Sequence, residues 1–360
     1  MNTVRAVLPF RIWFRSTALR SPAALLFALF TGYPFLAYWL YLQEYRDPGG
    51  YGGLNATALT HDVKWLDWPF VAYFGAAVLV GLWLVVRPRV SRTQCLTVGV
   101  IALVIGGPIA VWLETQLSPK TTNLFESVFG VGGSEEFAKL VPVLAAVLIA
   151  AATPTRLQPW FALSPRSYLY LGCLSGVVFG CAEGVQYIVS TQNADVNGQS
   201  SVFSMTSTVF LRLITDPINH ALWAGITGYF LGLAVVRARV AGRCTVQGLV
   251  QQCWLPATGL LIAATLHGIN DFVAAHPLLL AIVDVLSAAL LLGYAVAGDV
   301  VEQTIATSPA PQWGRRFVQA CQPRPQQQQW APQQHWAAPQ PPAPQAQWTT
   351  SQQWTAPPAH

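Results

Sequence analysis

The chain has 360 residues, and its composition excludes an ordinary soluble protein. Of these residues 53% are hydrophobic and only 10% are charged, whereas a soluble globular domain has about a quarter of its residues charged. The formal net charge is +5. In so apolar a chain this excess indicates how a membrane protein is oriented, so no nucleic-acid partner is expected.

Apolar runs of about 20 residues recur along the chain, and each is long enough to cross a bilayer. They predict an all-α, polytopic membrane protein with eight transmembrane helices in contact with the lipid bilayer. The predicted spans lie at residues 23–42, 68–86, 96–114, 135–152, 169–190, 216–236, 254–274 and 277–297. The first run is too long for a cleaved signal peptide and has no clear cleavage site, so we expect a retained anchor.

Arginine is concentrated on one side of this predicted topology. With the N-terminus in the cytoplasm, the cytoplasmic segments include Arg87, Arg89, Arg237 and Arg239, whereas the outer loops keep few basic residues. The positive-inside rule therefore predicts a multi-pass plasma-membrane protein with both termini in the cytoplasm.

Composition divides the chain into three parts. Residues 1–22 form a basic cytoplasmic segment, and residues 23–303 form the transmembrane helical domain. Residues 304–360 are rich in Pro, Gln and Trp. Such a segment cannot bury enough apolar surface to fold, so we expect a disordered cytoplasmic tail whose partner is unknown.

A stripe of glycines marks one face of the fifth predicted span. Gly172, Gly176, Gly180 and Gly184 recur at four-residue spacing. Small residues at this spacing let helix backbones approach closely in a membrane. We expect the stripe to hold polar groups on neighbouring spans at fixed separations.

Polar side chains occur at one depth in four of the predicted spans. Glu135 and Glu136 open the fourth span, and the next three spans contain Glu183, His220 and His267. Counted at about 1.5 Å per residue from the cytoplasmic ends, all five lie roughly 19–25 Å up a core about 30 Å thick. The shared depth predicts one site that faces the extracytoplasmic side.

Some of these residues also have a structural interpretation. Glu135 and Glu136 near a helix N-terminus are favoured by the helix dipole, and Lys139 can pair with Glu135, so capping and function are equally expected there. Glu183 is a carboxylate well inside a span, and such a residue is functional by default. Asp216 is expected to cap the sixth span.

Two histidines and a deep glutamate are a typical ligand set for catalytic zinc. His220, His267 and Glu183 are therefore the predicted metal ligands. Glu135 or Glu136 is the predicted general base, which would take a proton from water that the metal has made acidic. Such a site would support hydrolysis of a peptide bond presented near the outer face.

Other residues are expected to support the predicted ligands. Asp271 and Asn270 lie within one turn of His267 and can orient its ring. The sequence contains no His-Glu-x-x-His, Gly-x-Ser-Gly or Gly-x-Gly-Asp motif, which excludes the usual zincin, rhomboid-like and presenilin-like proteases.

At these positions the chain resembles the PrsW family of intramembrane proteases, and it is distantly similar to the CAAX-protease and bacteriocin-processing group. The matching pieces are Glu135-Glu136-Phe-Ala-Lys139, Phe179-x-x-x-Glu183, His220 followed by Gly228, and His267-x-x-x-Asp271. They occur in family order over residues 130–275. The chain departs from the wider group at two positions, because that group has His in place of Glu183 and favours Arg one residue after Lys139.

The resemblance implies a multi-helix membrane protease that cuts a single-span, membrane-anchored regulatory protein of the anti-sigma-factor type. It also implies that the five polar residues are functional and that Asp271 supports them. Zinc is the expected cofactor, and a glutamate-dependent mechanism is the alternative. A proton-coupled membrane transporter and a non-catalytic membrane scaffold related to the family are the alternative functions.

Overall fold

The computed structural model describes residues 10–17, 64–117, 123–153, 158–196 and 202–307. The first predicted span and the tail beyond residue 307 lie outside these described residues. Within them the chain is helical and has no β strand, which agrees with the all-α prediction. In chain order the helices are α1 (Phe10–Arg15), α2 (Lys64–Val86), α3 (Arg92–Ile101), α4 (Gly107–Leu117), α5 (Leu124–Glu126), α6 (Gly133–Ala152), α7 (Gln158–Phe161), α8 (Pro165–Val196), α9 (Val202–Val240), α10 (Val246–Val250), α11 (Trp254–Phe272) and α12 (Pro277–Thr307).

Four segments among the described residues are long and apolar enough to cross a membrane. They are Arg92–Leu117, Pro165–Ile188, Ile214–Val240 and Pro277–Gly298, and Val71–Val86 is a shorter apolar helix. Helices α6 and α11 have 20 and 19 residues, but each carries ionisable residues of the candidate site. The chain is therefore an integral membrane protein, and the count of eight spans stays a prediction.

Two π-helical segments join shorter helices into longer ones. Ala102–Gly106 connects α3 to α4, and Ser127–Gly132 connects α5 to α6. The helical run that contains Glu135 consequently begins at Leu124, where the Asn123 side chain accepts a hydrogen bond from the Phe125 amide. Glu135 and Glu136 lie in the first turn of α6, as expected, but they cap no free helix end, because about three turns of helix precede them.

Helix α9 also begins earlier than the hydropathy pattern predicts. It runs from Val202, so Asp216 lies in its interior and does not cap it. The Asp216 carboxylate instead accepts a hydrogen bond from Arg212 Nη1 at 3.3 Å, one turn earlier on the same helix. Pro217 removes one helical donor, and the long contact between α8 and α9 keeps the helix continuous there.

The glycine stripe of α8 packs directly on the backbone of α9, as the sequence predicts. A Cβ at Gly176, Gly180 or Gly184 would meet the backbone carbonyl of His220, Asp216 or Arg212, respectively. Because each glycine faces one turn of α9, the stripe fixes the register of the two helices. This register places His220 beside Glu183.

The connections at one end of the helices contact one another. The Arg89 amide donates to Ser167 Oγ at 3.1 Å, and Arg239 Nη1 donates to the Phe161 carbonyl at 2.7 Å. The loop after α2, the segment around α7 and the end of α9 therefore lie together. The glutamates and histidines of the candidate site lie toward the other end of these helices.

Candidate active site

A cavity of about 760 Å³ lies between α4, α8, α9 and α11. Its wall contains most of the polar residues that the sequence analysis singled out, together with several that it did not. The ionisable residues of the wall are Glu114, Glu135, Glu183, Arg212, Asp216, His220, His267 and Asp271. Glu136 and Lys139 lie directly behind this wall and are buried.

Lys139 holds the two adjacent glutamates of α6. Its Nζ donates to Glu135 Oε2 at 3.1 Å and to Glu136 Oε1 at 2.7 Å, and its side chain is fully buried. The ammonium also lies 4.5 Å from the centre of the Phe179 ring. The pairing of Lys139 with Glu135 that the sequence predicts is therefore present, and Glu136 shares the same cation.

His267 is held on three sides. Its Nδ1 lies 3.0 Å from Glu136 Oε1, and because a carboxylate only accepts, Nδ1 carries the proton of this hydrogen bond. Its Nε2 lies 3.6 Å from Glu135 Oε2 and 3.5 Å from Asp271 Oδ2, and in the neutral ring this nitrogen is an acceptor. The ring stacks on Trp223 with centroids 4.3 Å apart.

His220 is oriented in a similar way. Its Nε2 lies 2.7 Å from Glu183 Oε2, while its Nδ1 lies 3.8 Å from Glu135 Oε2. A neutral ring with its proton on Nε2, beside Glu183, keeps a lone pair on Nδ1. That buried Nδ1 has no hydrogen-bond partner in the part of the chain that the structure describes.

Glu135, His220 and His267 could together hold a metal ion. One ligand atom from each lies within 4.8 Å of the others, and all three residues are buried. Ligand atoms around tetrahedral zinc, with bonds of about 2.0–2.1 Å, are roughly 3.3 Å apart, close to the 3.6 and 3.8 Å separations from Glu135 Oε2. With both rings neutral, two nitrogen lone pairs and a carboxylate oxygen converge here, and such a set suits a cation.

Glu183, the third predicted metal ligand, is not part of this group. It contacts the outer nitrogen of His220, and the group that could hold an ion contains Glu135 instead. The two supporting residues also differ from each other. Asp271 lies beside His267, whereas the Asn270 amide nitrogen donates to Asp284 Oδ1 on α12 at 3.1 Å.

The sequence analysis missed Arg212, although a spacing signal was present. Arg212, Asp216 and His220 recur every four residues on one face of α9, but the predicted span began only at Asp216. The Arg212 guanidinium lies 4.0 Å from Glu183 Oε1 and stacks over the Tyr187 ring, 3.6 Å from its centre. It thereby links α9 to two residues of α8.

Trp223 and Glu114 were missed as well. Trp223 lies three residues after His220, so helical spacing could have found it, and its Nε1 donates to Ser287 Oγ on α12 at 3.1 Å. Glu114 lies at the end of the third predicted span, where a carboxylate is expected to mark the boundary between membrane and water. Only the packing of α4 on the site brings it to the cavity wall.

The family comparison agrees with this geometry. The model of the PrsW family intramembrane metalloprotease matches residues 70–297. No curated protein and no solved structure matches the chain. Because the matched segment covers more than half of the chain and includes every residue of the cavity wall, the protein belongs to the PrsW family of intramembrane proteases.

Proposed function

We propose that this protein is a zinc-dependent endopeptidase in which Glu135, His220 and His267 hold the metal. The observation that carries the proposal is the convergence of three buried acceptor atoms from α6, α9 and α11 within 4.8 Å. A zinc ion held there would polarise a peptide carbonyl and make a water molecule acidic. The proposal exchanges the roles that the sequence suggested for Glu135 and Glu183.

Glu136 and Glu183 take the second role in this proposal, which is to orient the histidines. Each contacts the nitrogen that points away from Glu135, at 3.0 Å for His267 and 2.7 Å for His220. A carboxylate in this position fixes the tautomer of a ligating histidine and makes the ligand more basic. The nitrogen that faces the metal is then ready to bind without losing a proton.

Glu183 is also the better candidate for the general base. Glu136 is completely buried, and its Oε1 already accepts from Lys139 and His267. Glu183 lines the cavity and keeps 17% of its side chain exposed, so it can accept a proton from water there.

We propose that the substrate is a single-span regulatory protein of the anti-sigma-factor type in the plasma membrane. This part rests on family membership and on the predicted depth of the polar residues in the outer third of the bilayer. The positive-inside rule supports cytoplasmic termini, which would turn the cavity to the extracytoplasmic side. The transporter alternative is less well supported, because the ionisable residues of the candidate site surround one cavity.

The test is a set of glutamate and histidine variants purified in detergent, with metal content and cleavage of tagged single-span anti-sigma factors measured on each sample. Glu135→Gln, His220→Ala and His267→Ala should lose both metal and activity. Glu183→Gln should keep metal, and its activity should fall by about two orders of magnitude. Glu126→Gln, on α5 outside the cavity wall, is the matched control and should behave as the wild type.

Two outcomes would contradict the assignment. Full activity after removal of all metal by chelation would exclude zinc and leave Glu135, between its two histidines, to activate water directly. If the Glu135→Gln variant bound as much metal as the wild type, Glu135 would not be a ligand and Glu183 would again be the third ligand.

A further inference from the structure

Asn219 is a buried amide on the cavity wall for which the proposed mechanism has no role. It precedes His220 on α9, lines the cavity and is only 4% exposed. Its Oδ1 is buried and has no hydrogen-bond partner among the residues that the structure describes. Leaving a buried acceptor unsatisfied destabilises the folded state, so such an atom in a native structure calls for an explanation.

The orientation of this amide is fixed from behind. Asp284, completely buried in α12, accepts a hydrogen bond from the Asn270 side chain at 3.1 Å and interacts electrostatically with the side chain of Asn219. Only the nitrogen of an amide can donate to a carboxylate, so Asn219 Nδ2 points toward Asp284. Because the amide group is planar, with its oxygen and nitrogen on opposite sides of the carbon, Oδ1 points away from α12.

Peptide hydrolysis inside a membrane creates a need for such an acceptor. A transmembrane helix must be opened locally before its peptide bond can reach the site, and opening frees backbone N–H groups. Lipid offers these groups no partner, and each unsatisfied group costs several kcal/mol in that environment. An intramembrane protease must therefore supply acceptors next to its reacting residues.

We propose that Asn219 Oδ1 accepts a backbone N–H of the opened substrate segment next to the scissile bond. The inference rests on the proposed function, because it needs a peptide bound beside His220. Asn219 is then a substrate-binding residue. Asp284 and Asn270 are positioning residues. Asp284, on α12, holds the Asn219 amide in place, and its hydrogen bond with Asn270 holds the α11 backbone in place.

The test combines a protein variant with a change in the peptide backbone. The probe is a fluorescein-labelled, single-span Leu/Ala peptide with a Gly-Gly pair in its outer third, in detergent micelles. Each peptide bond around the Gly-Gly pair is replaced in turn by an ester, which removes one N–H and keeps the shape. Binding is followed by fluorescence anisotropy and cleavage by gel electrophoresis, for the wild type and for Asn219→Leu.

One ester position should weaken binding to the wild type about tenfold, as expected for one lost hydrogen bond. The same ester should have no effect on Asn219→Leu, which should bind the unmodified peptide about tenfold more weakly and keep its metal. Asn219→Ala should behave in the same way and serves if the leucine variant does not fold. Gln94→Leu, which removes a buried amide on α3 away from the cavity, should show the wild-type ester pattern.

Equal ester penalties in the wild type and in both Asn219 variants would overturn the inference, and so would a failure of the wild type to bind any of the peptides. Failure of the proposed function gives a different result. If the wild type binds the peptides with the predicted ester pattern but cleaves none, the endopeptidase proposal fails while Asn219 remains a peptide-binding residue.

Discussion

Lys139 balances the charge of the buried site. It is the cation shared by Glu135 and Glu136, and none of its side chain is exposed. Removing one partner of a buried ion pair typically costs about 3–5 kcal/mol, because the remaining charge stays buried and unpaired. The stability of the folded chain therefore depends on Lys139, independently of catalysis.

We predict that Lys139→Met lowers the free energy of unfolding by about 3–5 kcal/mol. The effect should appear as a large drop in the melting temperature of the detergent-solubilised protein. Adding Glu136→Gln to this variant removes one of the two stranded charges and should recover part of the loss. A Lys139→Met variant as stable as the wild type would show that the buried glutamates tolerate the absence of a cation.

At the scale of single residues, the sequence identified the residue types and one ion pair, but not the partners of the histidines. The spacing of Glu135 and Lys139 predicts an ion pair, and the pair is present at 3.1 Å. Which carboxylate faces which histidine nitrogen could not be predicted, because it depends on ring orientation. For His267 that orientation is set by stacking on Trp223, which is itself held by Ser287 from another helix.

Helices α8 and α9 carry the geometry of the site between them. Gly176 faces the backbone carbonyl of His220, so any side chain there must push the two helices apart. Separation of catalytic groups by about 1 Å can cost roughly 10²-fold in rate. The position of His220 relative to Glu183 therefore depends on a residue that has no side chain.

We predict that Gly176→Ala lowers cleavage by about two orders of magnitude and weakens metal retention, because it displaces His220. Gly99→Ala is the matched control, since a Cβ at Gly99 in α3 meets no atom within 4 Å. That change should leave activity unaltered and stabilise the helix slightly. Activity in Gly176→Ala equal to that of Gly99→Ala would mean that the helices tolerate the separation.

At the scale of helices, the sequence predicted the close packing of α8 through its glycines but not where the helices begin. The glycine spacing indicates close helix contact, and the contact is present along α8. The start of α9 was predicted some 14 residues too late, at Asp216 rather than Val202. Hydropathy falls there because Arg212 and Asp216 are charged, but the two residues neutralise each other on the same helix, so the helix continues.

The whole molecule has two chemically distinct ends. At one end the Arg89 amide donates to Ser167 near the start of α8, and Arg239 near the end of α9 donates to the Phe161 carbonyl. At the other end the cavity collects carboxylates and histidines. This polarity agrees with the distribution of basic residues in the sequence.

We predict that reporter tags inserted after Val90 and Gly242 report the cytoplasm, because both positions lie at the arginine-rich end. Gly242 is an exposed turn residue with a φ of 70°, so an insertion next to it disturbs little packing. Tags after Lys120 and Gln199, which lie in the sequence between α4 and α5 and between α8 and α9, should report the outside.

The four tags together test the location of the active site, because the cavity lies toward the end that should report the outside. The reverse pattern would place the cavity near the cytoplasmic face and make an extracytoplasmic cleavage site untenable. A single discordant tag would instead change the number of spans on one side of that position. In each case the zinc assignment is unaffected, since it depends on distances between α6, α9 and α11 and not on which side of the membrane they face.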